Sequence, residues 1–368
     1  MPQTHETVLE IDLSALEQNY RFLRSHIPKE TKFMAVVKAF GYGSHVFSIT
    51  KKLETLGVDY FAVAYTSEGV ALRDAGITTP ILVLHPQSVN FETLIERCLE
   101  PSIYSQFVLR EFIKTTEKLG QKDYPVHIKF NTGLNRLGFT IDELDVIYNQ
   151  LNDTNSIKVK SLFSHLAASE DWKEREFTLE QIYLFRRIAA DFFENQKQEP
   201  WVHICNTSGI INYPEATFDM VRSGIGLYGY SNSTELDSQL KPVATLKSII
   251  SQIHHLKKGE SVGYNRIFKA EKPTTTATIP IGHADGIGRQ YGQGKGVFFI
   301  NGKPAKIIGN VCMDMLMLDI TDIECEEGDE VIIFGKDAPA TLISEGAGTI
   351  SYELITGISQ RVKRVVIE

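Results

Sequence analysis

Lys38 is the residue whose setting first suggests chemistry. It closes an apolar run, Met34-Ala35-Val36-Val37, and is followed at once by Ala39-Phe40-Gly41-Tyr42-Gly43. Such a run reads as a strand buried on both faces. An amine at the end of a buried strand loses solvation, so its pKa falls and it becomes a nucleophile or base near neutral pH. The ordinary alternative is a lysine that marks where a strand surfaces, and for a lone residue that is the commoner case. What decides between them is the company the rest of the chain brings to Lys38.

Other apolar runs end in the same manner. Lys129 leads into Asn131-Thr-Gly-Leu-Asn-Arg136, Ser164-His165 follows another run, and Asn206-Thr207-Ser208 a third. The last is Arg222-Ser-Gly224-Ile225-Gly226. Each has a plain structural reading of its own. His165 could be a satisfied core histidine, Arg222 could pair with Asp219, Arg136 could cap a helix, and two glycines occur in many loops.

The elements that would position these residues alternate. A short strand, Thr7–Ile11, precedes a helix over Leu13–Ile27 with Asp12 and Ser14 as caps. Strand-like runs then recur at Phe33–Lys38, Tyr60–Ala64, Ile81–Leu84, Pro101–Tyr104, Val126–Phe130, Val159–Phe163, Trp201–Cys205 and Phe218–Arg222, with helical segments between them. Alternation of this kind predicts a parallel sheet with crossovers. Eight units by Arg222 fit a closed (β/α)8, TIM-like barrel, a fold of about 250 residues. A doubly wound open sheet is the competitor, but no Gly-x-Gly-x-x-Gly follows the first strand. In a barrel the strand carboxyl ends share one rim. Lys38, Lys129, Arg136, His165, Thr207 and Arg222 would therefore converge. Loops after the last two strands of this fold often bind phosphate through backbone N–H groups. A phosphate beside a buried lysine suggests pyridoxal phosphate held on that lysine.

The polar stretch Ser231–Ser238, ending before Pro242, reads as a linker. Beyond it the runs become alternating or β-branched, broken by turns such as Asn301-Gly302, and predict a mostly β C-terminal domain with a helix near Ile343–Gly346. The expected division is 1–240 for the barrel and 241–368 for the β domain, with residues 1–10 available to pair with the latter.

Composition bounds the rest. The 368 residues are 42% hydrophobic and 23% charged, with a formal net charge of −8 and no basic cluster, which argues against nucleic-acid binding. Nothing approaches the roughly 18 apolar residues of a membrane span. The four cysteines show no Cys-x-x-Cys spacing, so free thiols, no metal and a cytoplasmic setting are expected.

In these pieces the chain resembles an alanine racemase over nearly its whole length. The resemblance is carried by Val37-Lys38-Ala39-x-x-Tyr42-Gly43, Asn131-Thr-Gly-x-x-Arg136-Leu-Gly138, Val221-Arg222-x-Gly224-Ile225, Val262-Gly-Tyr264-Asn-Arg266, Gly309-Asn-Val-Cys312-Met313-Asp314 and Ile350-Ser-Tyr352-Glu353, in that order. It implies a pyridoxal 5'-phosphate enzyme that interconverts L- and D-alanine with two bases and supplies D-alanine for peptidoglycan. Lys38 would hold the cofactor and move the proton on the D face, and Tyr264 would be the base for the L isomer. The site would be shared across a homodimer, with Tyr264 and Met313 coming from the second copy. Arg136 would orient the substrate carboxylate, supported by Lys129, a position carbamylated in some members. Arg222 would meet the ring nitrogen and His165 would pack beside the ring. Tyr42, Thr207, Gly224, Ile225 and Tyr352 would hold the phosphate, with Asp314 and His283 in supporting places. A free phenol with a pKa of about 10 is a poor base at pH 7, so the role given to Tyr264 calls for cationic neighbours.

Several positions depart from the family's usual pattern: Phe40-Gly41, Ser44-His45, Asn131, Asn135, and His283 where many members have a channel tyrosine. They leave the reaction class intact and bear on substrate size. The competing readings are a broader-specificity racemase, a decarboxylase of the same architecture that would use a cysteine such as Cys312, and a non-catalytic cofactor carrier, which would lack the β domain.

Overall fold

The structure is a computed structural model that describes residues 5–196, 199–231 and 233–368. Eight parallel strands build the first half: β2 (Lys32–Val36), β3 (Tyr60–Val63), β4 (Ile81–Val83), β5 (Glu100–Ile103), β6 (Tyr124–Lys129), β7 (Ile157–Phe163), β8 (Trp201–His203) and β9 (Met220–Ser223), after an earlier strand β1 (Val8–Asp12). Their order is β9-β2-β3-β4-β5-β6-β7-β8, and each neighbour is the next in sequence except at the seam where β9 meets β2. Two bonds close the ring on the other side: Asp219 N–H to Val202 O at 3.1 Å and Arg222 N–H to Cys205 O at 3.0 Å. The (β/α)8 barrel expected from the alternation is therefore present. Its strands are short and apolar because both faces are covered, one by the barrel interior and one by helices. Residues Phe33 to Ala35 of β2 and Phe61 to Val63 of β3, for example, have no exposed surface.

The first helix starts at one of the two caps read from sequence, Asp12 and not Ser14, and ends at Ser25 rather than Ile27. Leu13–Ser25 starts where Asp12 accepts the Ala15 N–H at 2.9 Å, and its buried stripe is Leu13, Leu16, Tyr20 and Leu23.

Strand ends differ from expectation in a way that matters. The first barrel strand stops at Val36 and does not reach Lys38. The chain then leaves the sheet in a tight turn, and Lys38 is carried by that turn. The run Val243–His254, read as one strand, divides into β10 (Ala244–Ile249) and β11 (Gln252–Leu256). The break is forced by pairing, since β10 lies against β1 while β11 lies against the strand Thr274–Ile279, toward opposite ends of the sheet. The Ser231–Ser238 stretch is not a loose linker either. Ser231 is buried, Asp237 accepts from its hydroxyl at 2.7 Å, and Thr234–Asp237 is a short helix. Asn232 within it, and Met1–Thr4, lie outside the described residues.

The second half is a nine-stranded sheet, supplemented by a small two-stranded ribbon. It includes β1, which pairs antiparallel with β10 and parallel with the final strand Lys363–Ile367. The chain's first described strand is thus a member of the second sheet, and the helix that follows it packs on the barrel. The two halves are tied together from the start of the chain.

Candidate active site

A cavity of about 710 Å³ opens at the carboxyl rim of the barrel. Its lining includes Lys38, Tyr42, Lys129, Arg136, His165, Thr207, Arg222, Gly224, Ile225 and Tyr352. Ten residues singled out in the sequence thus share one wall, and they come from five different strand ends and from the second domain. Glu170, Asn206, Ser208, Tyr65 and His85 complete its polar lining.

Lys38 begins a left-handed turn. Ala39, Phe40, Gly41, Tyr42 and Gly43 have φ of 53, 56, 66, 53 and 77° in succession. Residues with a side chain adopt this region at a cost, so the surroundings must hold them there. Glu68 accepts the Ala39 N–H at 2.6 Å, and Gly43 N–H closes on Ala39 O at 2.8 Å. A β-carbon on Gly43 would strike the Ile355 carbonyl, so glycine is required there by both conformation and space. Gly41, an unusual residue for the motif, also sits at positive φ, where glycine is the least strained choice. Burial lowers the Lys38 pKa, with Arg136 acting in the same sense and Glu68 opposing. The amine suspected from sequence is therefore weakly solvated, half-buried and among cations.

Lys129, the last residue of β6, is buried at 6% exposure and its pKa is pushed down to about 8 by burial first, then by Arg136, Arg222 and Lys38. Arg136 lies in the loop after β6. There Asn131 accepts from the backbone of Gly133 at 3.1 Å and of Asn135 at 2.9 Å, and donates to the Asn135 side chain at 2.9 Å. Asn135 has φ of 55°. The two departures from the family pattern in this loop are thus partners, and asparagine tolerates the left-handed conformation that the second one needs.

Arg222 is buried, and both terminal nitrogens of its guanidinium are engaged. It donates to His203 Nδ1 at 2.6 Å, Ser164 O at 2.6 Å, Ile204 O at 3.2 Å and His165 Nδ1 at 3.2 Å. Burial lowers its pKa to about 10, which leaves it charged at neutral pH. A guanidinium has no acceptor, so His165 and His203 both present unprotonated Nδ1 atoms to it. Burial, then Arg222, holds both imidazoles well below their ordinary pKa.

At the other end of the cavity, Thr207 opens the helix Thr207–Asn212, capped by Asn206, and Gly224 precedes the turn Ile225–Tyr228. Thr207 Oγ1 bonds Ser223 Oγ at 2.9 Å. Tyr42 stacks on Tyr228 at 4.5 Å, and Tyr352 lies 6.3 Å from it. Burial raises the pKa of Tyr42 and Tyr352, so both phenols stay protonated and can donate to an anion. A β-carbon on Gly226 would collide with Thr207, so the cradle admits only backbone there.

Tyr264, Met313, Asp314 and His283 are elsewhere. Tyr264 is 72% exposed and Met313 59%. Tyr264, Met313, Asp314 and Cys312 line a separate cavity of about 580 Å³ on the second domain. His283 is exposed and adjoins it, its N–H bonded to Cys312 O at 2.9 Å. Arg361 bridges Asp314 at 2.7 Å and Asp285 at 2.6 Å. Within one chain the fold brings these residues to one another and not to Lys38.

Sequence reasoning passed over Glu68, His203, Tyr228 and Arg364. Arg364 donates to Gly43 O at 2.9 Å and so pins the Lys38 turn from the far end of the chain. His203 carried a usable signal, a polar residue inside a buried strand. The others reach the site only through tertiary contacts. Among the described residues no group of acidic, histidine or cysteine side chains could hold a metal ion, and no helix is long and apolar enough to cross a membrane.

Two family models match the chain: "Alanine racemase, N-terminal domain" over residues 11–232 and "Alanine racemase, C-terminal domain" over residues 243–366. An alanine racemase of Clostridium novyi is 36% identical over 98% of this chain and 95% of its own. The solved alanine racemase of Clostridium difficile 630 superposes with a TM-score of 0.92 at 33% identity, covering 100% of this chain and 97% of that one. A Bacillus anthracis alanine racemase with bound L-Ala-P superposes at 0.91 and 30% identity, over 100% and 96%.

Proposed function

The chain belongs to the alanine racemase family, and we propose that it interconverts L- and D-alanine as a pyridoxal-phosphate enzyme. One observation carries the reading. Lys38, Lys129, Arg136 and Arg222 line a single cavity, against Glu170 as the one acidic residue in the same lining. Such a cavity suits a ligand that is strongly anionic, and a phosphate together with a substrate carboxylate is such a ligand. The protonated phenols of Tyr42 and Tyr352, the Thr207 hydroxyl and the backbone cradle at Gly224–Gly226 suit the phosphate.

Lys38 would hold pyridoxal phosphate covalently, and the cofactor supplies a conjugated ring that makes the α-proton of an attached amino acid removable. The remaining work falls to protein groups. Arg136 would bind the alanine carboxylate and fix which face of Cα each base meets, with Lys129 beside it. The Lys38 Nζ, poorly solvated and depressed in pKa, would take or return the proton on one face. Racemisation needs a second base on the opposite face. Tyr264 is the candidate, and because it is remote from Lys38 in its own chain, a second copy would have to present it, with Met313 alongside. Arg222, charged and able only to donate, would direct an N–H at the ring nitrogen without giving up its proton and so leave that nitrogen unprotonated, which limits side reactions. His165 would pack beside the ring. Asp314 and His283 would shape the approach to the site. The product would serve peptidoglycan synthesis in the cytoplasm.

The test is an enantiomer-resolved assay of the purified, cofactor-loaded protein with alanine, serine, lysine and arginine. D-alanine should form from L-alanine fastest, with no carbon dioxide release, and Lys38→Ala should lose both turnover and the visible band of a lysine-bound cofactor. Preference for a basic amino acid, carbon dioxide release, or an active Lys38→Ala would each overturn the reading.

A further inference from the structure

Arg222 is only the upper end of a longer hydrogen-bonded line. His203 Nε2 bonds Ser161 Oγ at 2.8 Å, Ser161 Oγ bonds His127 Nδ1 at 2.6 Å, and His127 Nε2 meets Glu100 Oε2 at 2.6 Å. His203, Ser161 and His127 have no exposed surface, and the Glu100 side chain is 12% exposed. The line crosses the barrel interior from Arg222 near the carboxyl rim, through β8, β7 and β6, to the first residue of β5 at the opposite rim.

Its direction is dictated by chemistry. Arg222 has only donors, so His203 Nδ1 accepts and its Nε2 carries the proton. That N–H donates to Ser161 Oγ. The Ser161 hydroxyl proton then has one direction left, toward His127 Nδ1, which must accept. His127 therefore carries its proton on Nε2 and donates to Glu100, which also accepts from the Tyr60 hydroxyl at 3.2 Å. Every donor in the line has an acceptor, and the reverse order would set a His203 N–H against an Arg222 N–H. No ion pair to Arg222 is present among the described residues. The carboxylate at the far end is thus the terminal acceptor of the line that begins at this buried cation.

We propose that Ser161, His127 and Glu100 are positioning residues for the reaction, holding His203 as a fixed acceptor so that Arg222 keeps its place and charge in the floor of the cavity. The proposal rests on the reading that Arg222 faces the bound cofactor. Polarised in series, the bonds reinforce one another in a dry interior, and loss of a distant member is felt at Arg222.

The experiment combines ring-nitrogen NMR of histidine-labelled protein, with and without pyridoxal phosphate, and kinetics of three variants. In the parent, both His203 and His127 should be protonated on Nε2. Ser161→Ala and Glu100→Leu should lower kcat about tenfold, a size usual for orienting partners. The KM for alanine should hold within about twofold, since these residues do not touch substrate. Glu100→Gln keeps an acceptor oxygen and should retain most of the parental kcat, with thermal denaturation confirming that all three fold. An Nδ1-protonated His203 or His127 in the parent overturns the proposal. So do folded Ser161→Ala and Glu100→Leu proteins with parental kcat, or a Glu100→Gln variant as slow as Glu100→Leu. Were the alanine assignment itself wrong, the parent would not racemise alanine, while the proton order in the spectra would stand or fall separately.

Discussion

The Tyr42 hydroxyl occupies the space that a β-carbon on Gly224 would need. Two segments far apart in sequence, the left-handed turn after Lys38 and the loop after the last barrel strand, therefore meet at a contact that tolerates only glycine. Tyr42 is held from its other side by the Tyr228 ring, itself part of the turn that Gly224 opens. The lysine turn and the phosphate cradle are one unit.

Gly224→Ala should break that unit without touching Lys38. The added methyl must push Tyr42 aside, at a cost of about 1–3 kcal/mol for an overpacked site. Retention of pyridoxal phosphate, followed by absorbance after dialysis, should fall markedly while the protein remains folded. Parental retention would show that Tyr42 does not contribute to holding the cofactor.

If two copies share each site, separately inactive proteins should complement one another. Lys38→Ala and Tyr264→Phe protomers, unfolded together and refolded as a mixture, should regain activity. Random assortment makes half of the dimers mixed, each with one intact site, so recovery near a quarter of the parental rate is expected, roughly. A mixture no more active than its components would place Lys38 and Tyr264 in sites that do not meet. Tyr264→Phe alone should slow proton removal from L-alanine more than from D-alanine in single-turnover assays.

Lys129 has a pKa near 8 in the fold against 10.5 ordinarily. The unfolded chain therefore binds more protons between those values, and stability should rise with pH across that window. Below pH 8 the charged amine is buried and the penalty is complete; above about 10.5 it is gone. Lys129→Met should accordingly stabilise the cofactor-free protein at pH 7, by up to about 3 kcal/mol. That gain should shrink toward zero at pH 10.5. Urea denaturation in carbon-dioxide-free buffer at the two pH values measures it, and a gain independent of pH would assign the effect to packing instead.

Arg364 should matter to the site although it lies in the last strand. It donates to Gly43 O at 2.9 Å, Ile358 O at 2.8 Å and Val362 O at 2.7 Å, joining the Lys38 turn to the second domain. Arg364→Met leaves these carbonyls short of donors. It should destabilise the chain by about 1–3 kcal/mol and weaken cofactor retention together with stability. Unchanged retention in a measurably destabilised variant would separate the turn from the site.

Much of this architecture was legible in the residues. Alternating apolar runs and helical segments predict a barrel because a parallel strand is buried on both faces and must be followed by a crossover. Lys38, Lys129, His165, Thr207 and Arg222 could be set on one rim from strand order alone, since parallel strands point their carboxyl ends the same way. The strand boundaries were less legible. Val37 continues the apolar pattern of β2 and Lys38 closes it, yet the backbone turns left-handed just beyond them, and only the contacts of Glu68, Ile355 and Arg364 explain why it can.

Sequence by itself determined the types and the order of the chemical groups: an amine after a buried strand, arginines after two others, a glycine turn at the end. Those follow from local patterning, which depends on neighbours within a few residues. Tertiary structure alone decided the partners. That Arg364 holds the Gly43 carbonyl, that Arg222 is tied through His203 to Glu100, and that Tyr264 stands apart from Lys38 in its own chain are relations across distant segments. They are set by how strands register and how buried donors find acceptors, and no local pattern encodes either.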